Sequence, residues 1–187
     1  MTEETNVGMG RDIEYIKDVS EKSGINILYA TGFYKEPFYP DFVYENDEKK
    51  IADFMKNEIL EGIEGTGIKA QIIGEIGSSK NIITETELKV FKASILAHME
   101  TGVPITTHTS LGTMGHEQVQ FFKLYGVNLD KVVIGHVDLT GDVEYILKML
   151  YDGVYVEFDT IGKNNYLSDE KRVEMLKEIE KRELIDR

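Results

Sequence analysis

The chain has 187 residues, no cysteine and a formal net charge of −13 at pH 7, with 41% apolar and 29% charged side chains. That length suits one well-buried domain, and the composition is that of a globular chain, not a disordered one. The acidic balance argues against nucleic acid or an anionic membrane as partner, because no basic field is available to release counterions, and the lack of thiols excludes a disulfide framework, a thiolate metal site and a cysteine nucleophile.

No apolar run approaches the roughly 20 residues of a membrane span. The opening "MTEETNVGMGRD" lacks the basic-then-apolar order of a signal peptide, so a cytoplasmic protein is expected.

In chain order, "RDIEYIKDVSEKSG" places Ile13, Ile16 and Val19 at helical spacing and stops at Gly24, a good C-terminal cap. "INILYATGF" follows as a strand. The stretch 34–45, "YKEPFYPDFVYE", carries Pro37, Pro40 and several aromatics, which suits an ordered loop over a ligand site or an aromatic loop packed on a rim. "NDEKKIADFMKNEILEGI" reads as a helix capped near Asn46 or Asp47, and "IKAQIIGEIG" as a strand. "TETELKVFKASILAHMETG" is a helix with the capping-box pair Thr84 and Glu87, ending at Gly102. "VPITTHTS" is a strand, "GHEQVQFFKLYG" a helix, "KVVIGHVD" a strand, "GDVEYILKMLYDG" a helix, "VYVEFDTIG" a strand and "SDEKRVEMLKEIEKRE" a last amphipathic helix.

Repeated strand-then-helix order with apolar strands predicts an α/β fold with a parallel sheet and helices outside it. Doubly wound sheets and barrels share that order. A Rossmann-type sheet needs an early glycine-rich phosphate turn, and the "GMG" of residues 8–10 has neither a third glycine nor a preceding strand, so the reading favours a barrel. No linker or low-complexity segment interrupts residues 1–187, which are read as one domain.

In a parallel sheet of this kind the C-terminal strand ends share one face, where active sites lie. The strand ends here carry Glu75, His108, His136 and Asp159. Two imidazoles and a carboxylate suit a divalent metal, most simply zinc when cysteine is absent. Each residue also has an ordinary reading. His108 or His136 could bond a neighbouring backbone group, Glu75 could pair with Lys69, and Asp138 or Asp159 could cap a helix. His98 and His116 fall inside predicted helices and are read as packed side chains. A lysine Schiff-base site is disfavoured because Lys69 stands at the start of its strand, on the wrong face.

The segments "IIGEIGSS", "PITTHTSLGTMG", "VVIGHVDL" and "VEFDTIGKNNYLSDEKR", with "TGFYKEPFYP" and the opening "EETN", resemble the phosphotriesterase family of the amidohydrolase superfamily over essentially the whole chain, closest to its homology-protein branch. The resemblance implies a (β/α)8 TIM-type barrel with a two-metal centre, usually zinc, whose metal-activated hydroxide attacks an ester, lactone or phosphoester. It implies that His108 and His136 are ligands from strands five and six and that Glu75 is the carboxylate bridging both ions. Most of the family has a carboxylated lysine there, and the homology-protein branch has Glu. Tyr34 is implied as a donor to the substrate oxygen, with rim packing as its ordinary alternative. Asp138 and Asp159 are read as carboxylates that orient His136 or neighbouring donors.

The resemblance also implies departures. The His-x-His pair of the family's first strand and the aspartate of its eighth have no counterpart, and neither Asp159 nor Asp186 stands in for the latter. The expected fold is therefore an incomplete barrel of about strands two to seven, with exposed sheet edges through which copies could associate. Two functional expectations follow: a zinc-dependent hydrolase of small molecules, or a catalytically incomplete piece of barrel that binds at most one metal or is only structural.

Overall fold

Helix ends fall where the chain carries the chemistry to end them. In the computed structural model, which describes residues 1–187, helix α1 (Ile13–Ser23) opens on Asp12, whose side chain accepts from the Tyr15 amide, and closes on Gly24. Asp47 caps α3 (Glu48–Leu60) in the same way. Helix α4 (Glu85–Thr101) has the full capping box: the Glu87 amide donates to Thr84 Oγ1 at 3.1 Å, and the Thr84 amide donates to Glu87 Oε2 at 2.9 Å. Asp142 and Ser168 cap α6 (Val143–Asp152) and α7 (Asp169–Lys181), and α5 (Gly115–Leu124) lies before them in sequence. None of these helices is long and apolar enough to cross a membrane.

Six strands alternate with the helices: β1 (Thr2–Glu3), β2 (Leu28–Thr31), β3 (Ile72–Ser78), β4 (Ile105–Thr109), β5 (Val132–Ile134) and β6 (Tyr155–Val156). They form one sheet in chain order, β1 to β6. The pairing is parallel, with Thr2 opposite Leu28, Ala30 opposite Ile72 and Val133 opposite Tyr155. Parallel neighbours consecutive in sequence require a crossover, and the helices supply it.

The chain divides into two compact units, Met1–Gly77 with Thr84–Thr106, and Ser78–Ile83 with Thr107–Arg187. In the first, α3 packs on α4, and Ile51, Met55, Ile73, Val90 and Phe91 are fully buried. Each such side chain contributes roughly 1.5–3 kcal/mol of hydrophobic stabilisation. The stretch 34–45 is not all loop: Pro40 starts the short helix α2 (Asp41–Glu45), which presents Phe42 to Phe33 and Phe54 at centroid distances of 5.9 and 5.5 Å. Phe42 and the buried Tyr39 are thus spent on packing, while Phe38 and Tyr44 stay exposed. In the second unit α5 and α7 both pack on α6, around Phe122, Ile134, Ile146 and Met149.

Strands β5 and β6 are shorter than the apolar runs that predict them. After Ile134 the backbone leaves the ladder at His136, whose φ of 60° is left-handed, and enters a 3-10 turn over Val137–Thr140.

Candidate metal centre

The first unit supplies Glu75, half-buried at the middle of β3 and not at its end as the sequence suggests. The residue before it has to be glycine, since a Cβ on Gly74 would come within 2.6 Å of the Thr106 carbonyl oxygen. Asn6, 1% exposed, donates from Nδ2 to the Glu75 carbonyl at 2.9 Å and so pins the backbone that carries the carboxylate. Beside it lies a cavity of about 490 Å³ lined by Glu3, Asn6, Met9, Tyr34 and Glu75. Burial, and then the nearby Glu75 charge, push the Tyr34 phenol up to about 12.

The second unit supplies the imidazoles. His108 is the fourth residue of β4, and Gln118 on α5 holds its carbonyl at 3.0 Å while also donating to Ser78 Oγ at 2.8 Å. His136 is delivered by another close approach. A Cβ on Gly135 would sit 2.5 Å from the Thr107 carbonyl oxygen, and that backbone contact is made by the Gly135 amide at 2.9 Å. Thr109 Oγ1 donates to the Gly135 carbonyl at 2.7 Å. The two rings meet edge to face with centroids 4.5 Å apart. Asp159 Oδ2 lies 2.6 Å from His136 Nδ1. A pocket of about 270 Å³ opens against His108, Ser110, His136, Lys163 and Tyr166.

The first unit thus carries a carboxylate, Glu75, and the second a pair of imidazoles, His108 and His136. Two nitrogens and a carboxylate oxygen are a donor set that fits a divalent transition metal, and zinc takes such sets in four-coordination. A carboxylate this close to Nδ1 would favour the His136 tautomer that leaves the Nε2 lone pair for an ion, the usual support for a metal-bound histidine.

Of the other residues singled out in the sequence, Asp159 is beside His136, whereas Asp138 is fully buried and engaged by Arg172 Nε at 2.6 Å and by the Thr160 hydroxyl. The remaining histidines are packed elsewhere: His98 Nδ1 is 2.8 Å from the Val103 carbonyl oxygen, and the His116 ring meets Tyr145 edge-on at 4.2 Å. Sequence reasoning missed Asn6, Gln118 and Arg172. Arg172 did leave a signal, since it shares the buried face of α7 with Met175 and Ile179. A charge on an apolar stripe implies a buried partner.

Parallel strands alternating with helices define the class as an α/β chain of TIM-barrel type, here incomplete. The chain belongs to the phosphotriesterase family, whose sequence model matches residues 1–187. It is 48% identical to the phosphotriesterase homology protein of Escherichia coli over 99% of this chain and 63% of that protein. The crystal structure of that protein, complexed with phosphate in its active site, superposes with a TM-score of 0.96 over 98% of this chain and 63% of that chain. The crystal structure of a lactonase from Listeria monocytogenes, 29% identical, gives 0.92 over 97% of this chain and 60% of that chain. An aryldialkylphosphatase of Saccharolobus solfataricus is 34% identical over 91% of this chain and 54% of that protein. The chain thus spans less than two thirds of the length of these relatives.

Proposed function

We propose that this chain carries part of a metal-dependent hydrolase of small esters, lactones or phosphoesters, and that Glu75, His108 and His136 hold its divalent ion, zinc by the chemistry of the donors. The observation that carries this reading is the pair of imidazoles in the second unit, His108 and His136, with ring centroids 4.5 Å apart and the Asp159 carboxylate 2.6 Å from His136 Nδ1. Relatives named as an aryldialkylphosphatase and a lactonase support the substrate class.

A divalent ion held there supplies Lewis-acid polarisation of an ester or phosphoryl oxygen and lowers the pKa of nearby water. The chain's own residues do the rest. Asp159, 2.6 Å from His136 Nδ1, would orient that ring, and Asn6 and Gln118 hold the backbone of Glu75 and His108. Tyr34 lines the cavity that Glu75 also lines, and its phenol, protonated at neutral pH, would donate a hydrogen bond to a substrate oxygen there.

The test is elemental analysis of the purified chain after removal and reloading of zinc, with Glu75→Ala and His136→Ala alongside, followed by assay on nitrophenyl esters, lactones and aryl dialkyl phosphates. A metal site predicts that each variant loses zinc and keeps its circular dichroism and melting transition. Variants that lose the fold instead assign these residues a structural role. Zinc retained by both variants would sink the site as drawn. Stoichiometric zinc with no turnover on any of the three substrate types would leave a metal-binding chain that is not itself a hydrolase.

A further inference from the structure

Arg172 lies in the first turn of α7 and is nonetheless 1% exposed. A buried guanidinium is costly unless its N–H groups find acceptors, and this one finds four. Nε donates to Asp138 Oδ2 at 2.6 Å and Nη2 to Thr160 Oγ1 at 2.8 Å. Nη1 donates to the Leu167 carbonyl at 2.5 Å and to Asp169 Oδ1 at 2.9 Å. The Thr160 hydroxyl donates in turn to the same Asp138 oxygen, closing a ring of three side chains.

The place of that ring in the chain gives it a consequence. Asp138 stands two residues after His136, and Thr160 stands one after Asp159. Strands β5 and β6 pair only through Val133 with Tyr155 and Ile134 with Val156, followed by a bond from the Glu157 amide to the Ile134 carbonyl at 3.0 Å. The ladder therefore ends before His136 and before Asp159. Past its end, the guanidinium joins the two segments. A lysine could neutralise Asp138, but one ammonium cannot replace a planar fork that reaches Asp138, Thr160 and Leu167 together.

We propose that Arg172 is a positioning residue of the metal centre: by tying Asp138 to Thr160 it fixes the Asp159 carboxylate on His136 Nδ1 and so sets the imidazole tautomer that presents Nε2. The proposal rests on the metal reading above for its purpose, though not for its test.

The experiment uses the full chain, metal-free, with ¹⁵N-labelled histidine. The chain has four histidines, and the His136 ring signals are assigned by their loss in His136→Gln. Wild type is expected to show His136 protonated on Nδ1. Arg172→Lys, which keeps the charge and loses the fork, is expected to move the ring nitrogens toward a mixture of tautomers and to weaken zinc at least tenfold in competition with a chelator. Thr160→Val, which removes one acceptor and leaves Arg172 on Asp138, is expected to shift the same signals in the same direction by less, and it decides the matter if Arg172→Lys does not fold. A lowered melting temperature with wild-type His136 signals in the folded variants would make Arg172 merely structural and overturn the proposal. If the wild-type chain binds no zinc, the metal reading fails alone, and the His136 signals still decide whether Arg172 positions the ring.

Discussion

Asp159 Oδ2 and His136 Nδ1 are 2.6 Å apart, although Asp159 is 35% exposed and makes that contact from a segment beyond the end of β6. A carboxylate so placed contributes to the ligand and little to the fold. Asp159→Ala is expected to weaken zinc by about 10–100-fold, the usual cost of removing the partner of a metal-bound histidine. Stability in the absence of metal should change by no more than about 0.5 kcal/mol, as for most exposed positions. Chelator competition and urea unfolding of the metal-free variant measure the two effects separately. An affinity equal to wild type would mean that the ring is oriented by something else.

Zinc should also act as a ligand of the folded state. Binding at 100 times the dissociation constant stabilises by about 2.7 kcal/mol, so the melting temperature should rise with zinc concentration and return on adding a chelator. The rise should vanish in a His108→Ala/His136→Ala double variant, because a carboxylate alone is a poor zinc site. Equal rises in both proteins would place the ion at one of the many other acidic groups of this chain.

Tyr34 offers a prediction with a sign. Its phenol is pushed up to about 12, chiefly by burial and then by Glu75, against an ordinary value of 10.0. The folded state therefore holds the phenolic proton more tightly than the unfolded state does. Tyr34's contribution to stability is full below pH 10 and is lost as pH rises toward 12. In metal-free protein, the ultraviolet signal of phenolate formation should include one late step that Tyr34→Phe abolishes. Glu75→Gln should bring that step down only partly, because burial is the larger cause. A Tyr34 that ionises near 10 in wild type would show the phenol to be open to water.

Local chemistry made much of this fold legible, and long-range pairing hid the rest. Thr84 and Glu87 are three residues apart, so their reciprocal capping can be read from the chain alone, as can Asp47 before α3. Apolar runs in the sequence led to His108 near the end of β4 and His136 just past β5, whereas Glu75, read as a strand end, falls at the middle of β3. The ends of β5 and β6 did not, because the apolar residues that continue those runs, Val137 and Phe158, lie outside the ladder. Nor could the helix at Asp41–Glu45 be seen in five residues with two prolines just ahead of them. Asn6 bonds a residue 69 positions away and Arg172 one 34 positions away, and no pattern of spacing announces either.

A second buried arginine tests the packing of the first unit independently of any metal. The Arg11 side chain is 2% exposed and forks onto Glu58, with Nη2–Oε1 at 2.6 Å and Nη1–Oε2 at 2.9 Å, and Thr31 Oγ1 donates to the same carboxylate at 2.6 Å. Glu64 is a further partner at 2.9 Å but is mostly exposed. Removing one member of a buried pair leaves an uncompensated charge, which costs about 3–5 kcal/mol. Glu58→Ala should fall near the lower end of that range because Glu64 remains. The midpoint in urea should drop with the slope unchanged, since the surface exposed on unfolding is the same. Arg11→Met/Glu58→Leu removes both charges and should regain most of the loss, because a buried ion pair is often replaced by apolar side chains of similar volume at little net cost. A Glu58→Ala loss under about 1 kcal/mol would show that water reaches Arg11 and that the pair is not the anchor between α3 and the segment before α1. If the double variant were as unstable as Glu58→Ala, the Thr31 hydroxyl left without its carboxylate acceptor would carry the cost, and Thr31→Val in that background should then restore stability.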